Sequence, residues 1–180
     1  QSLMNAKGYF HQQGLDAQTL SIASGTNILG ALQRQDADIC IFAGFSQLLA
    51  AIEKGADLKI LAGASIKGQQ SLLAKKPDIQ YVRDLKGRTL GVGAVGAQLY
   101  QVAIALLRKK GIDPAAVQFV SIGSSADVFR AVVAGTVDAG DGEADVFSIM
   151  DSVGVHALRD GDYAVELPEY TWQASYTSTA

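Results

Sequence analysis

One cysteine, Cys40, and two histidines, His11 and His156, are all that this 180-residue chain offers to a soft metal or a redox reaction. A single cysteine excludes an internal disulfide, and neither histidine has a Cys or His partner at metal-ligand spacing. No metal centre is therefore expected, and both histidines read as structural. Blocks of basic charge are missing as well. Against 15 Lys and Arg stand 18 Asp and Glu, a formal net charge of −3, which argues against nucleic acid as a partner. No apolar run approaches the roughly eighteen residues that a membrane-spanning helix needs. Ser124 and Ser125 have no G-x-S-x-G context and no base nearby in sequence, so no serine nucleophile is expected. The chain starts at Gln1 without an initiator methionine or a signal peptide, and is expected to be processed, trimmed or a fragment.

What is present is apolar material: 48% of the residues are hydrophobic, enough for one large domain or two small ones. The most informative stretch is DLKGRTLGVGAVGAQLYQVAIALLRKKG, residues 84–111. It reads as a turn, a strand over Thr89–Val92, a glycine elbow through Gly91, Gly93 and Gly96, and a helix. The helix carries Leu99, Val102, Ala103, Leu106 and Leu107 on one stripe, and ends in Arg108, Lys109, Lys110 and Gly111. Such an elbow leaves free backbone N–H groups at the positive end of a helix dipole, where an anion or a strong acceptor can sit.

GVGAVG, residues 91–96, matches the dinucleotide fingerprint G-x-G-x-x-G. The ribose-binding acid should end the next strand, expected at 117–122, but the chain there reads Ile122, Gly123, Ser124. Asp113 stands near the right count but precedes that strand beside Pro114, as a turn or helix-start residue does. Three readings stay open: a nucleotide cradle, a tight turn with no ligand, and a cradle for another small molecule. The missing acid weighs against the first.

Strands are further expected at 17–22, 38–42, 58–62, 71–75, 137–139 and 155–158, with one more past Pro168. The apolar run at 38–42 suggests burial on both faces. Helices are expected at 28–34, 47–54, 126–134 and 144–153. Alternation of this kind specifies an α/β fold with a parallel or mixed sheet, whose ligands bind in loops at the carboxyl ends of strands. Four such loops offer backbone donors and small polar side chains: Ser24-Gly25-Thr26, Gly44-Phe45-Ser46, Gly96-Ala97-Gln98 and Gly123-Ser124-Ser125. Ordinary helix capping accounts for any one of them. All four facing one crevice would be a binding site. Asp141 and Glu143, in the stretch after 137–139, fit a catalytic carboxylate pair, solvated loop acids or ligand contacts. Phe45, Tyr100, Tyr170 and Trp172 fit either a core or a crevice wall.

Six blocks then resemble a family. They are KGYFHQQGLD (7–16), SGTNILGALQRQDADI (24–39), AAIEKGADLKILA (50–62), LLAKKPDIQYVRDLKGRTLGV (72–92), LLRKKGIDPAAVQFV (106–120) and VVAGTVDAG (132–140). Together they resemble the solute-binding proteins of ABC importers, in the branch that includes sulfonate, taurine, nitrate and thiamine-precursor binders. The resemblance implies the type II periplasmic-binding-protein clamshell, an α/β fold of two lobes with a ligand between them. It places part of lobe one at 1–63, a hinge crossing at 64–69, lobe two at 70–167, and a return crossing at 168–180. The family's first strand and its C-terminal helices have no counterpart here, so the first lobe is expected to be incomplete.

The same resemblance implies ligand contacts from Ser24, Gly25 and Thr26, from Phe42, Gly44 and Phe45, and from Ser65. On the second lobe it implies the anion-binding helix start Gly96, Ala97 and Gln98, together with Ser124, Asp141 and Glu143. Ala97 stands where many sulfonate-type relatives carry serine, which disfavours a sulfonate ligand. The implied role is capture of a small organic solute for an ABC permease, by a protein that is a monomer when complete. Its implied place is the periplasm or a lipid anchor outside the membrane. No cofactor, metal or catalytic residue is implied. Two alternatives are the thiamine-pyrimidine synthase of the same fold, which relies on a histidine- and cysteine-rich apparatus, and a solute-sensing domain of a signalling protein.

Overall fold

A computed structural model describes residues 2–22, 25–64 and 70–179. Two short helices, α1 (Ser2–Ala6) and α2 (Tyr9–Gln12), are separated by Gly8, whose φ of 64° is a turn that glycine makes without steric cost. The strand expected at 17–22 does not form, and the stretch is largely exposed. A strand needs a neighbour for its N–H and C=O groups, and no described strand lies alongside. Next come α3 (Gly25–Gln33), β1 (Ile39–Gly44), α4 (Phe45–Glu53) and β2 (Leu58–Ala64). Leu32, Cys40, Ala43, Leu48 and Leu58 pack into one core with Ala174 and Tyr176. β1 is an edge strand rather than one buried on both faces, and Ile39 and Phe42 are each 48% exposed.

The second part of the chain builds its own sheet from β3 (Gln70–Ala74), β4 (Thr89–Val92), β5 (Gln118–Ser121), β6 (Ala139–Glu143) and β7 (His156–Asp162), in the order β5-β4-β6-β3-β7. β4 runs parallel to β5 and β6, while β3 runs antiparallel to β6 and β7. On one face lies α5 (Gln98–Lys109), which buries Val102, Ala103, Leu106 and Leu107 against Leu72, Leu90 and Leu158. On the other lies α6 (Ser125–Ala134), with Phe129 and Val132 packed against Leu73, Val137 and Val146. Full burial of a side chain of this kind is worth about 1.5–3 kcal/mol, so these two stripes hold the helices down.

Two short helices, α7 (Ala144–Phe147) and α8 (Tyr163–Glu166), follow β6 and β7. The helix expected at 144–153 is thus broken, and a separate 3₁₀ turn covers Asp151–Val153. The last strand, β8 (Gln173–Ser178), returns to the first sheet and lies between β1 and β2, antiparallel to both. The chain therefore passes between sheets twice, from Ala64 to Gln70 and from Glu166 to Gln173.

The strand expected at 137–139 is displaced: it starts at Ala139 and runs through Glu143. Every residue of it pairs with β3, from Ala74↔Ala139 to Gln70↔Glu143, and that ladder overrides the turn-like composition of GDGE. Its glycines allow close approach. A Cβ on Gly142 would lie 2.1 Å from Leu73 Cδ1, and one on Gly140 would lie 2.5 Å from Val128 Cγ1. Leu73 is fully buried and cannot swing into solvent. Gly142→Ala is expected to destabilise the chain by about 1–3 kcal/mol, the usual range for overpacking, read as a lower urea midpoint. A midpoint equal to the parent's would mean that Leu73 repacks freely.

Candidate ligand-binding crevice

The two sheets meet at Trp172, in the segment that leads into β8. Its backbone carbonyl accepts a hydrogen bond from the Phe45 N–H at 3.1 Å and another from Gln98 Nε2. Phe45 opens α4 on one sheet and Gln98 opens α5 on the other, so two helix starts converge on a single acceptor. The Gln98 side chain lies over Gly44: a Cβ there would stand 2.8 Å from Gln98 Oε1 and 2.9 Å from Gln98 Cβ. Beside it the Gln47 amide occupies the space that a side chain on Gly25 would need, at 1.7 Å. The expected residues Gly25, Gly44, Phe45 and Gln98 are thus brought together. They are joined by Gln47, which sequence reasoning missed because a glutamine inside a helix carries no local signal. Thr26 is exposed on the first turn of α3. Phe42, also exposed, adopts φ 57° at a bulge in β1. Ser24 and Ser65 lie outside the described residues.

The α5 start differs in one respect from expectation. Gly96 supplies the left-handed turn at φ 86°, but the Ala97 N–H is spent inside the elbow on the Ala94 carbonyl at 3.0 Å. The free donors lie one step on, at Gln98, Leu99 and Tyr100, whose N–H groups meet no backbone acceptor among the described residues. The elbow's other two glycines, Gly91 and Gly93, have a packing role. A Cβ on Gly91 would stand 2.8 Å from Ile122 Cδ1, and one on Gly93 would stand 3.0 Å from the Gly123 carbonyl. Asp113 caps the 3₁₀ turn Pro114–Ala116 by accepting the Ala115 N–H at 3.0 Å, as a helix-start residue does.

Of the two serines, Ser124 is committed to capping. Its hydroxyl donates to Asp127 Oδ2 at 2.6 Å and accepts the Asp127 N–H at 3.2 Å, a capping box at the start of α6. The hydroxyl that meets Glu143 belongs to Ser125, which donates to Glu143 Oε1 at 2.7 Å. Gln70 Nε2 donates to the same oxygen at 3.3 Å. Asp141 and Glu143 are therefore strand residues, not acids of a solvated loop. Asp141 is only 1% exposed; the Tyr163 hydroxyl donates to its Oδ1, and its Oδ2 has no hydrogen-bond partner among the described residues. Burial pushes the Asp141 carboxyl up to about 7, against the opposing effect of the Tyr163 bond, and the nearby charge of Glu143 adds to the rise. Burial, then the charge of Asp141, drives the Tyr163 hydroxyl well above its usual value.

The aromatic candidates divide. Trp172 is buried with its ring 6.0 Å from Tyr163 and 5.4 Å from Tyr170, and Tyr100 sits edge-on to Phe119 at 4.9 Å. Two cavities of the described surface lie away from these helix starts, one beside Met4 and Phe10 and one beside Lys109 and Tyr170. Between the helix starts, the amides of Gln47 and Gln98 occupy the space.

A family model described as NMT1/THI5 like matches residues 3–159. Comparison with curated protein sequences gives no match. Among solved structures, the periplasmic aliphatic sulphonate binding protein SsuA from Escherichia coli is 22% identical, with a TM-score of 0.79 over 98% of this chain and 60% of that one. The alkanesulfonate-binding protein SsuA from Xanthomonas axonopodis pv. citri, bound to MOPS, is also 22% identical, with a TM-score of 0.80 over 99% and 61%. A Candida albicans protein described as exhibiting the generic periplasmic binding protein structural fold is 15% identical, with a TM-score of 0.79 over 98% and 58%. The chain spans about 60% of the length of the first two of these proteins.

Proposed function

Because the chain belongs to the NMT1/THI5-like family and has the two-lobed α/β fold of type II periplasmic binding proteins, we propose that it is the solute-binding component of an importer. It captures a small organic solute between its lobes and delivers it to an ABC permease, outside the cytoplasmic membrane. Residues 1–63 form the first lobe's share, 70–167 the second lobe, and 168–180 the return. The crossings at 64–69 and from Pro168 onward serve as the hinge, and closure is hinge bending of the kind periplasmic binding proteins use. The protein binds and releases; it does no chemistry on the solute.

The observation that carries this reading is the double use of the Trp172 carbonyl by Phe45 of α4 and Gln98 of α5. It brings two N-terminal helix ends from opposite sheets to one point, and the free N–H groups of Gln98, Leu99 and Tyr100 lie beside it. A solute entering there takes those donors and displaces the Gln98 amide, with Gly25, Thr26, Phe42, Gly44 and Phe45 on the facing lobe. A thermal-shift screen of small metabolites tests it. A ligand at about a hundred times its dissociation constant adds roughly 2.7 kcal/mol, which moves the melting point of a chain this size by about 5–10 °C. Gly44→Ala places a methyl group against Gln98 Cβ and holds the helix starts apart, so the shift is expected to vanish or fall severalfold. An undiminished shift in Gly44→Ala would place the solute elsewhere.

A further inference from the structure

Two hydroxyls at the joint between the sheets stand buried and unpaired. Ser46 is the second residue of α4, next to the Phe45 whose N–H bonds the Trp172 carbonyl. Tyr170 lies two residues before Trp172, its ring 5.4 Å from the indole and packed against the larger core of the second sheet. Neither Ser46 Oγ nor Tyr170 Oη is reached by solvent, and neither makes a hydrogen bond of good geometry among the described residues. The two are close all the same. Burial raises the Tyr170 hydroxyl above its usual value, and the Ser46 hydroxyl opposes that rise. One hydroxyl belongs to the first lobe, the other to the crossing that brings the chain back from the second.

A buried hydroxyl without a partner is rare, because it has given up water and gained no bond in exchange. Each of these hydroxyls can both donate and accept, so a single bond between them satisfies the pair. What keeps them apart is the position of α4 against the return crossing. That position is set by the Phe45–Trp172 bond and by the Gln98 amide, which donates to the same carbonyl and lies over Gly44. Hinge bending turns α4 about that shared carbonyl and so changes the separation of the two hydroxyls directly. A group that is unpaired in one state and paired in the other biases the equilibrium between them.

On the crevice reading, we propose that Ser46 and Tyr170 form a closure latch: when a solute displaces the Gln98 amide and the lobes close, the two hydroxyls bond to each other and that bond adds to the solute's affinity. They are positioning residues, and neither touches the solute. Ser46→Ala and Tyr170→Phe each remove one hydroxyl and keep the rest of the side chain, so both variants keep the packing around Trp172. A pair with a merely structural role would lower stability when truncated and leave affinity alone. The latch does the reverse. Melting points of the unliganded variants are expected to equal or exceed the parent's, because each deletes a buried polar group that has no partner. Affinity is measured by calorimetry, with the metabolite that gives the parent its largest melting-point shift as the probe. It is expected to fall about three- to tenfold in each single variant, the range for one neutral hydrogen bond. The double variant should bind no more weakly than either single one, since the same bond is lost in all three. Unchanged affinity in both single variants overturns this proposal and leaves the crevice standing, as does a double variant whose loss is the product of the two. Lower melting points in both unliganded variants also overturn it, because the hydroxyls would then already be satisfied, directly or through a bound water. If no metabolite shifts the parent in a Gly44-sensitive way, the crevice reading falls and the latch with it.

Discussion

Asp141→Asn is expected to leave stability nearly unchanged at pH 4 and to raise it by up to about 4 kcal/mol at pH 8. The folded-state carboxyl stands at about 7 against the usual 3.8, chiefly because it is buried. A carboxyl raised on folding contributes its stability fully below the unfolded value. That contribution is lost as pH rises through the folded one, because the unfolded chain ionises first. The window therefore runs from about pH 4 to about pH 7, and at 1.36 kcal/mol per pH unit the gap caps the effect near 4 kcal/mol. Asparagine keeps an oxygen for the Tyr163 hydroxyl to donate to and has no charge to bury. Urea midpoints at both pH values decide the matter. Parallel profiles for parent and variant would show that Asp141 gains a partner in solution that offsets its burial.

Trp172→Ala is the second large effect, an expected loss of about 3–5 kcal/mol, the range for truncating a buried aromatic. The ring is 6% exposed and packs on Tyr163 and Tyr170 within the larger core of the second lobe. Its backbone meanwhile leads into β8 of the first sheet. Truncation removes the ring and keeps the carbonyl, so the bonds from Phe45 and Gln98 retain their acceptor. Trp172→Phe, which keeps an aromatic face for both tyrosines, should recover more than half of the loss. Because Trp172 is the only tryptophan in the chain, unfolding must be followed by circular dichroism rather than by its fluorescence. A loss below about 1 kcal/mol in the alanine variant would mean that the connecting segment does not depend on this ring.

Local periodicity made part of this architecture readable. The stripe Val102, Ala103, Leu106, Leu107 identifies α5, and the buried face of that helix is the one the spacing specifies. Thr89–Val92 reads as a strand and is one. What composition hid was decided by distant partners. Gly140 to Glu143 look like a turn until β3 is laid beside them, and Asp141 looks solvated until Tyr163, 22 positions later, is placed over it. Residues 17–22 look like a strand by the same local rules, but no neighbouring strand is present among the described residues. At the crevice, helix starts were legible from glycines and small polar residues, while the choice of Ser125 over Ser124 was not. Both serines satisfy the composition of a cap, and only the direction of α6 assigns one to Asp127 and the other to Glu143.

The position of β8 between β1 and β2 imposes an order on folding. Contacts across that sheet are very long in sequence; Phe42 and Ser175, for example, lie 133 positions apart. Loop-closure entropy makes such pairings late events. As the chain leaves the ribosome, β1 and β2 emerge early with open edges, and Ile60 and Leu61 remain exposed even after folding. The strands of the second sheet are all made by Asp162, before β8 exists, and its core is then finished by Tyr163 and Trp172. The first lobe is therefore the dependent partner. Any defect that delays the second lobe also prolongs the time in which two unpaired apolar strands can find one another on neighbouring chains, so aggregation during synthesis is the cost of this topology.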